Sequence, residues 1–155
     1  MAKQEWEVEE KSMKIVFESP TGTIFENPNV DDLRQSMIDS FPDYWYQGIG
    51  TATIDYFDDE KDQRSLLIFP IDEHGIYLKY LVMENRRVSE EWLSLEIPLA
   101  LDQFVESSDE WYASIGLFMP LEKAWTAISE FLVSGERTEL INWINSEDMP
   151  EDSNW

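Results

Sequence analysis

The chain reads as an α+β domain: an antiparallel meander sheet with one long C-terminal helix and a shorter N-terminal helix packed on it. Three observations predict this. Leu121, Ala124, Trp125, Ile128, Phe131 and Leu132 recur at the 3.6-residue period of a one-faced helix. Ahead of them, short segments alternate at a period of two or run apolar for four to seven residues, as strands do. Turn residues separate those segments at close spacing, which favours antiparallel hairpins over long crossovers.

Taken in order, residues 1–12 are charged and aperiodic apart from Trp6 and Val8, a flexible lead-in to a domain spanning 13–146. Lys14 to Glu18 reads as a strand, Ser19-Pro20-Thr21-Gly22 as a turn, and Thr23-Ile24-Phe25 as a short return. Asn29 suits an N-cap, and Asp31 and Asp32 suit the positive end of the helix that follows. Val30, Leu33, Met37, Ile38 and Phe41 form its stripe, and Pro42 ends it.

From Gln47 onward the period is two: Ala52, Ile54 and Tyr56 alternate with Thr51, Thr53 and Asp55, a half-buried strand with a wet face. Asp58-Asp59-Glu60-Lys61-Asp62 is expected to be a loop, and Leu66-Leu67-Ile68-Phe69, apolar on both faces, a central strand. Asp72-Glu73-His74-Gly75 turns the chain into the strand Ile76 to Val82. Asn85-Arg86-Arg87 begins another connection before a strand from Trp92 to Ile97. Residues 102–110 are expected as an acidic loop, and Trp111 to Phe118 as the last strand before the long helix. Pro120 suits that helix's first turn and Gly135 its left-handed stop. Leu140 to Ile144 reads as a final short strand, and 147–155 as an acidic tail.

The wording of the C-terminal stretch resembles a known family. Pro-Leu-Glu-Lys-Ala-Trp, Phe-Leu-Val-Ser-Gly-Glu-Arg and Ile-Asn-Trp, with Pro120, Ala124, Phe131, Gly135, Glu136, Arg137 and Trp143, resemble the signature of immunity protein family 1 of bacterial polymorphic toxin systems. The signature covers about 25 of the 155 residues and departs from the family pattern at Thr138, where a proline is usual. The resemblance implies an α+β inhibitor of a cognate toxin, often a deaminase; it carries no catalytic motif.

Composition narrows function independently. Thirty-three acidic residues stand against eleven basic ones, a formal charge of −22. Phosphate backbones and anionic membranes repel such a chain, whereas a basic protein attracts it, and steering raises association rates by roughly 10–10³-fold. With no cysteine there is no disulfide, thiolate metal site or thiol nucleophile. The polar, acidic N-terminal stretch reads against a signal peptide and for a cytoplasmic location. The single histidine, His74, sits in a turn rather than in a catalytic constellation. The run Asp55, Asp58, Asp59, Glu60, Asp62 loosely resembles a calcium loop but lacks the central glycine and terminal glutamate. No catalytic, cofactor or metal residue is therefore assigned.

The expected function is toxin inhibition by a protein that is a monomer or weak dimer when free. The alternatives are a small carboxylate-dependent hydrolase and an acidic protein-binding adaptor. The expected contacts with a basic toxin domain are Asp58, Asp59, Glu60, Asp62, Glu106, Asp109, Glu110, Trp111 and Tyr112, where carboxylates meet aromatic anchors. Glu147, Asp148, Glu151 and Asp152 form the second choice.

Overall fold

The computed structural model describes residues 13–47, 50–58, 61–106, 112–151 and 155. Strands β1 (Met13–Glu18), β2 (Ile24–Glu26), β3 (Ala52–Asp58), β4 (Lys61–Ile71), β5 (Gly75–Glu84), β6 (Arg87–Leu95) and β9 (Asn142–Asn145) form one sheet in the order β2-β1-β3-β4-β5-β6-β9. Every neighbouring pair is antiparallel. β7 (Phe104–Glu106) and β8 (Tyr112–Ser114) pair separately. The short helix α1 (Val30–Arg34) continues as a π turn over Gln35–Asp39, and α2 spans Leu121–Ser134. This is the α+β meander expected, with a longer C-terminal and a shorter N-terminal helix, and β4 lies at its centre.

The two-residue period of the strands divides the side chains between two cores. On one face Phe17, Ile54, Tyr56, Leu66, Ile68, Leu78 and Tyr80 meet Leu33 and Met37 from the first helix and Ala124, Ile128 and Phe131 from α2. Trp45, fully buried, donates its indole N–H to the Met37 carbonyl at 3.1 Å. On the other face Ile71, Tyr77 and Leu93 pack with Leu101, Ala113, Leu117, Phe118 and Met149. At that end Ile76, Tyr77 and Leu78 are all fully buried, so β5 is enclosed from both sides.

Ser94 ties these layers together. Its Oγ accepts from the Leu78 N–H at 2.9 Å and donates to the Leu117 carbonyl at 2.8 Å, where the strand ladder has ended. At the other end of the sheet, α2 stops at Gly135, whose φ is 73° and whose N–H reaches the Phe131 carbonyl.

Four local expectations change. Asn85 and Arg86 are a complete turn, not the start of a connection: both have positive φ, 55° and 67°. Two such residues match the twist of a tight hairpin, so β6 begins at Arg87. Residues 102–110 include strand β7. Trp111–Phe118 is not one strand: β8 gives way to a 3₁₀ turn at Ile115–Leu117, which lets Leu117 and Phe118 enter the second core. Trp125 is half-buried rather than central, because the Ala124, Ala127, Ile128, Phe131 and Leu132 face points inward and Trp125 flanks it under Arg34, 5.9 Å away.

Candidate partner-binding surface

Asp58 and Asp62 lie at one end of the central sheet. Asp58 closes β3, opposite Met13 of β1 and Lys61 of β4, and Asp62 is exposed on β4. The expected loop is therefore shortened to a hairpin end, with both aspartates on strands; Asp59 and Glu60 lie outside the described residues. Arg64 secures this end: its Nη1 donates to the Asp62 carbonyl at 2.9 Å, and its Nη2 lies 3.9 Å from Glu136 beyond α2.

That contact joins the acidic hairpin to the stretch carrying the family-like signature. The Tyr80 hydroxyl donates to the Gly135 carbonyl at 3.2 Å, with a Glu136 carboxylate oxygen at 3.5 Å. Burial pushes the Tyr80 pKa up to about 12; the Glu136 charge adds to this, while Arg64 and Arg137 oppose it. The Arg137 guanidinium stacks 3.9 Å over Trp92, whose indole N–H donates to Glu90 at 3.1 Å. Trp143 donates to the Thr138 carbonyl at 2.8 Å. Gly135, Glu136, Arg137 and Trp143 thus gather around Tyr80 and Trp92, an aromatic and charged cluster across β5, β6 and β9. Stacked Arg–Trp pairs of this kind form energetic anchors in protein interfaces.

Glu106 and Tyr112 face each other across β7 and β8, both exposed. Asp109, Glu110 and Trp111 lie outside the described residues. The structure does not bring this group to Asp58 and Asp62. Val105 and Ala113 anchor the β7–β8 pair in the second core, whose β4 member is Ile71. Asp62 and Ile71 stand nine residues apart on β4, roughly 30 Å at strand rise. The expected contacts fall into two groups separated along the sheet.

The C-terminal acids are folded in. The Asn145 side chain accepts from the Glu147 N–H at 2.9 Å, Met149 is buried, and Trp155 packs on the second core. Glu147, Asp148 and Glu151 remain exposed around Met149, and Asp152 lies outside the described residues.

Of three charged positions on the second sheet face, the sequence singles out Asp55 but neither Lys79 nor Glu91. Asp55 accepts from the Ser65 hydroxyl at 2.6 Å and the Gln63 amide at 3.3 Å, which engages it in the sheet rather than in a calcium-like loop. Lys79 lies 4.9 Å from the Trp155 ring, 5.6 Å from Phe69 and 3.6 Å from Glu91. Burial lowers its pKa and the Glu91 carboxylate opposes that shift. The outward phase of Asp55 is legible in the β3 alternation; its neighbours across the sheet are not.

Among the described residues no helix is long and apolar enough to cross a membrane. The chain matches no protein family model, and no curated protein or solved structure matches it. Chemically, the surface offers carboxylates fixed on strand ends and strand faces, interleaved with half-buried aromatic rings, an arrangement suited to binding a cationic partner.

Proposed function

We propose that this chain is an immunity protein: it binds a cognate bacterial toxin domain and inhibits it by covering the active site. The observation that carries the reading is the charge of −22 on a 155-residue chain. A toxin that modifies nucleic acid, a deaminase or a nuclease, needs a basic groove for phosphates, and a carboxylate-bearing surface occupies that groove as phosphates do. Placement of Asp58 and Asp62 on paired strands supports it, because pre-ordered charges lose little entropy on binding. The resemblance around Gly135, Glu136, Arg137 and Trp143 points to the same class.

Members of the resembled family are encoded beside their toxins, so the test is binding of the purified protein to the toxin domain that this reading expects in the adjoining gene, with the toxin's activity assayed in parallel. Stoichiometric inhibition is expected, with an association rate that falls steeply as salt rises. Reversing Asp58 and Asp62 to lysine slows association and flattens that salt dependence. A parent protein that neither binds nor inhibits the domain refutes the reading.

A further inference from the structure

The register of the sheet places side chains in rows that no single strand reveals. On the second face one row runs Glu26, Val16, Asp55, Ser65, Leu81, Glu91, each opposite the next. The adjacent row runs Ile24, Glu18, Thr53, Leu67, Lys79, Leu93, Ile144. Among the described residues, only those over the latter part of this face form a roof. Leu93 and Ile144 belong to the second core and Trp155 lies over Lys79, whereas Val16, Leu67 and Leu81 pack in neither core. They are half-buried all the same, and Ile24 is 55% exposed.

We propose that this unroofed part of the sheet, centred on Val16, Asp55 and Leu67, is the surface that docks the partner, and that the partner is a basic protein domain. The proposal rests on the inhibitor reading for the partner's identity, and goes beyond it in assigning the surface. Charge decides the occupant. A second copy also carries −22, and in two-fold pairing through this face Lys14 and Lys79 of each copy already face their own Glu26 and Glu91, which leaves Asp55 without a cation to meet. A basic protein presents lysine and arginine to those same groups and apolar surface to Val16, Leu67 and Leu81. Asp55 is the central charge: it accepts hydrogen bonds from the neutral donors Ser65 and Gln63, whereas Glu26 faces Lys14 at 3.6 Å and Glu91 faces Lys79 at 3.6 Å. Those two neutral bonds hold its carboxylate oriented without cancelling its charge, as a pre-organised acceptor for arginine requires.

Size argues for the extent of the contact. Five strands (β2, β1, β3, β4, β5) about 4.8 Å apart, crossed over roughly six residues, give on the order of 400 Å² of flat sheet. A stable interface buries about 800 Å² per partner, so the partner overhangs the sheet. Asp58 and Asp62 stand at the adjoining end of β3 and β4 but in register with the residues of the opposite face, so they lie outside this surface.

The test uses the purified toxin domain of the adjoining gene as probe and the full chain in four forms. Val16→Arg with Leu67→Arg sets two cations into the surface and is expected to raise Kd at least about 100-fold, mostly through faster dissociation. Asp55→Asn keeps an oxygen for Ser65 and Gln63 but removes the charge; about 10-fold is expected, and it reports on the surface even where the double variant fails to fold. Val133→Arg, at a 77% exposed site on α2, leaves Kd unchanged. If both sheet variants bind like the parent, or Val133→Arg is the one that loses binding, this surface is wrong while the inhibitor reading stands. If the parent does not bind the domain at all, the reading falls and the assignment with it. A parent that sediments as a dimer, turned monomeric by Val16→Arg with Leu67→Arg, overturns the choice of occupant.

Discussion

Gly135→Ala should be among the most costly single methyl additions in this protein. Two effects add. Gly135 has φ 73°, a left-handed conformation that costs a residue with a Cβ about 1–2 kcal/mol. A Cβ placed there also lies 2.5 Å from Tyr56 Cδ1 and 2.7 Å from Cε1, well inside contact distance. The ring cannot swing away freely. Tyr56 is buried at 5% exposure, and its ring packs edge-on against Phe131 at 6.0 Å, which in turn meets Tyr80 at 6.0 Å. Overpacking of this kind costs about 1–3 kcal/mol, so the total is about 2–5 kcal/mol, or roughly 5–15 °C in Tm for a domain of this size. Urea unfolding followed by tryptophan fluorescence measures it. Gly22→Ala is the control: φ is 87° but nothing lies within 4 Å of the added carbon, so only the conformational part, about 1–2 kcal/mol, is expected. Tyr56→Leu in the Gly135→Ala background should recover part of the loss, a coupling read from the double-mutant cycle. Equal losses at Gly22 and Gly135, with no coupling to Tyr56, would refute the packing argument.

Three further outcomes follow from the same contacts. Trp45→Ala should cost about 3–5 kcal/mol, because it empties a fully buried site and strands the Met37 carbonyl; Trp125→Ala, at a half-buried site, should cost clearly less in the same denaturant titration. Ser94→Ala leaves the Leu78 N–H and the Leu117 carbonyl without their buried partner, about 1–3 kcal/mol for each orphaned group, and hydrogen exchange at Leu78 should accelerate. Tyr80 gives a pH signature. Its folded pKa of about 12 stands above the ordinary tyrosine value of 10.0, so the folded state holds the proton more tightly. Its contribution is fully present below pH 10 and is lost as pH rises from there through about 12, up to about 3 kcal/mol. Tyr80→Phe should show a shallower decline across that window; an unchanged slope would remove Tyr80 as its source.

Much of the architecture was legible because period and punctuation are local properties. The alternation of Ala52, Ile54 and Tyr56, the apolar run Leu66 to Phe69 and the stripe ending at Gly135 each fix an element without reference to the rest. The Asn85–Arg86 turn is not legible in the sequence because an arginine in the left-handed region runs against residue preference and is sustained here by the hairpin on either side. The place of Trp125 is hidden for a related reason: a helix stripe wide enough for six residues does not say which flank meets the sheet, and here Ala124, Ala127, Ile128, Phe131 and Leu132 meet it.

By itself the sequence determined the α+β class, the central place of β4, the helix stop at Gly135 and a surface charge that only a cationic partner complements. Those depend on composition and on spacing within a few residues. The tertiary structure alone decided that Asp58 and Asp62 lie apart from Glu106 and Tyr112, that Asp55 stands between Val16 and Ser65, and that Trp155 covers Lys79. The physical reason is register. Each row across a sheet joins residues far apart in the chain, and a shift of one position would send every one of them to the opposite face.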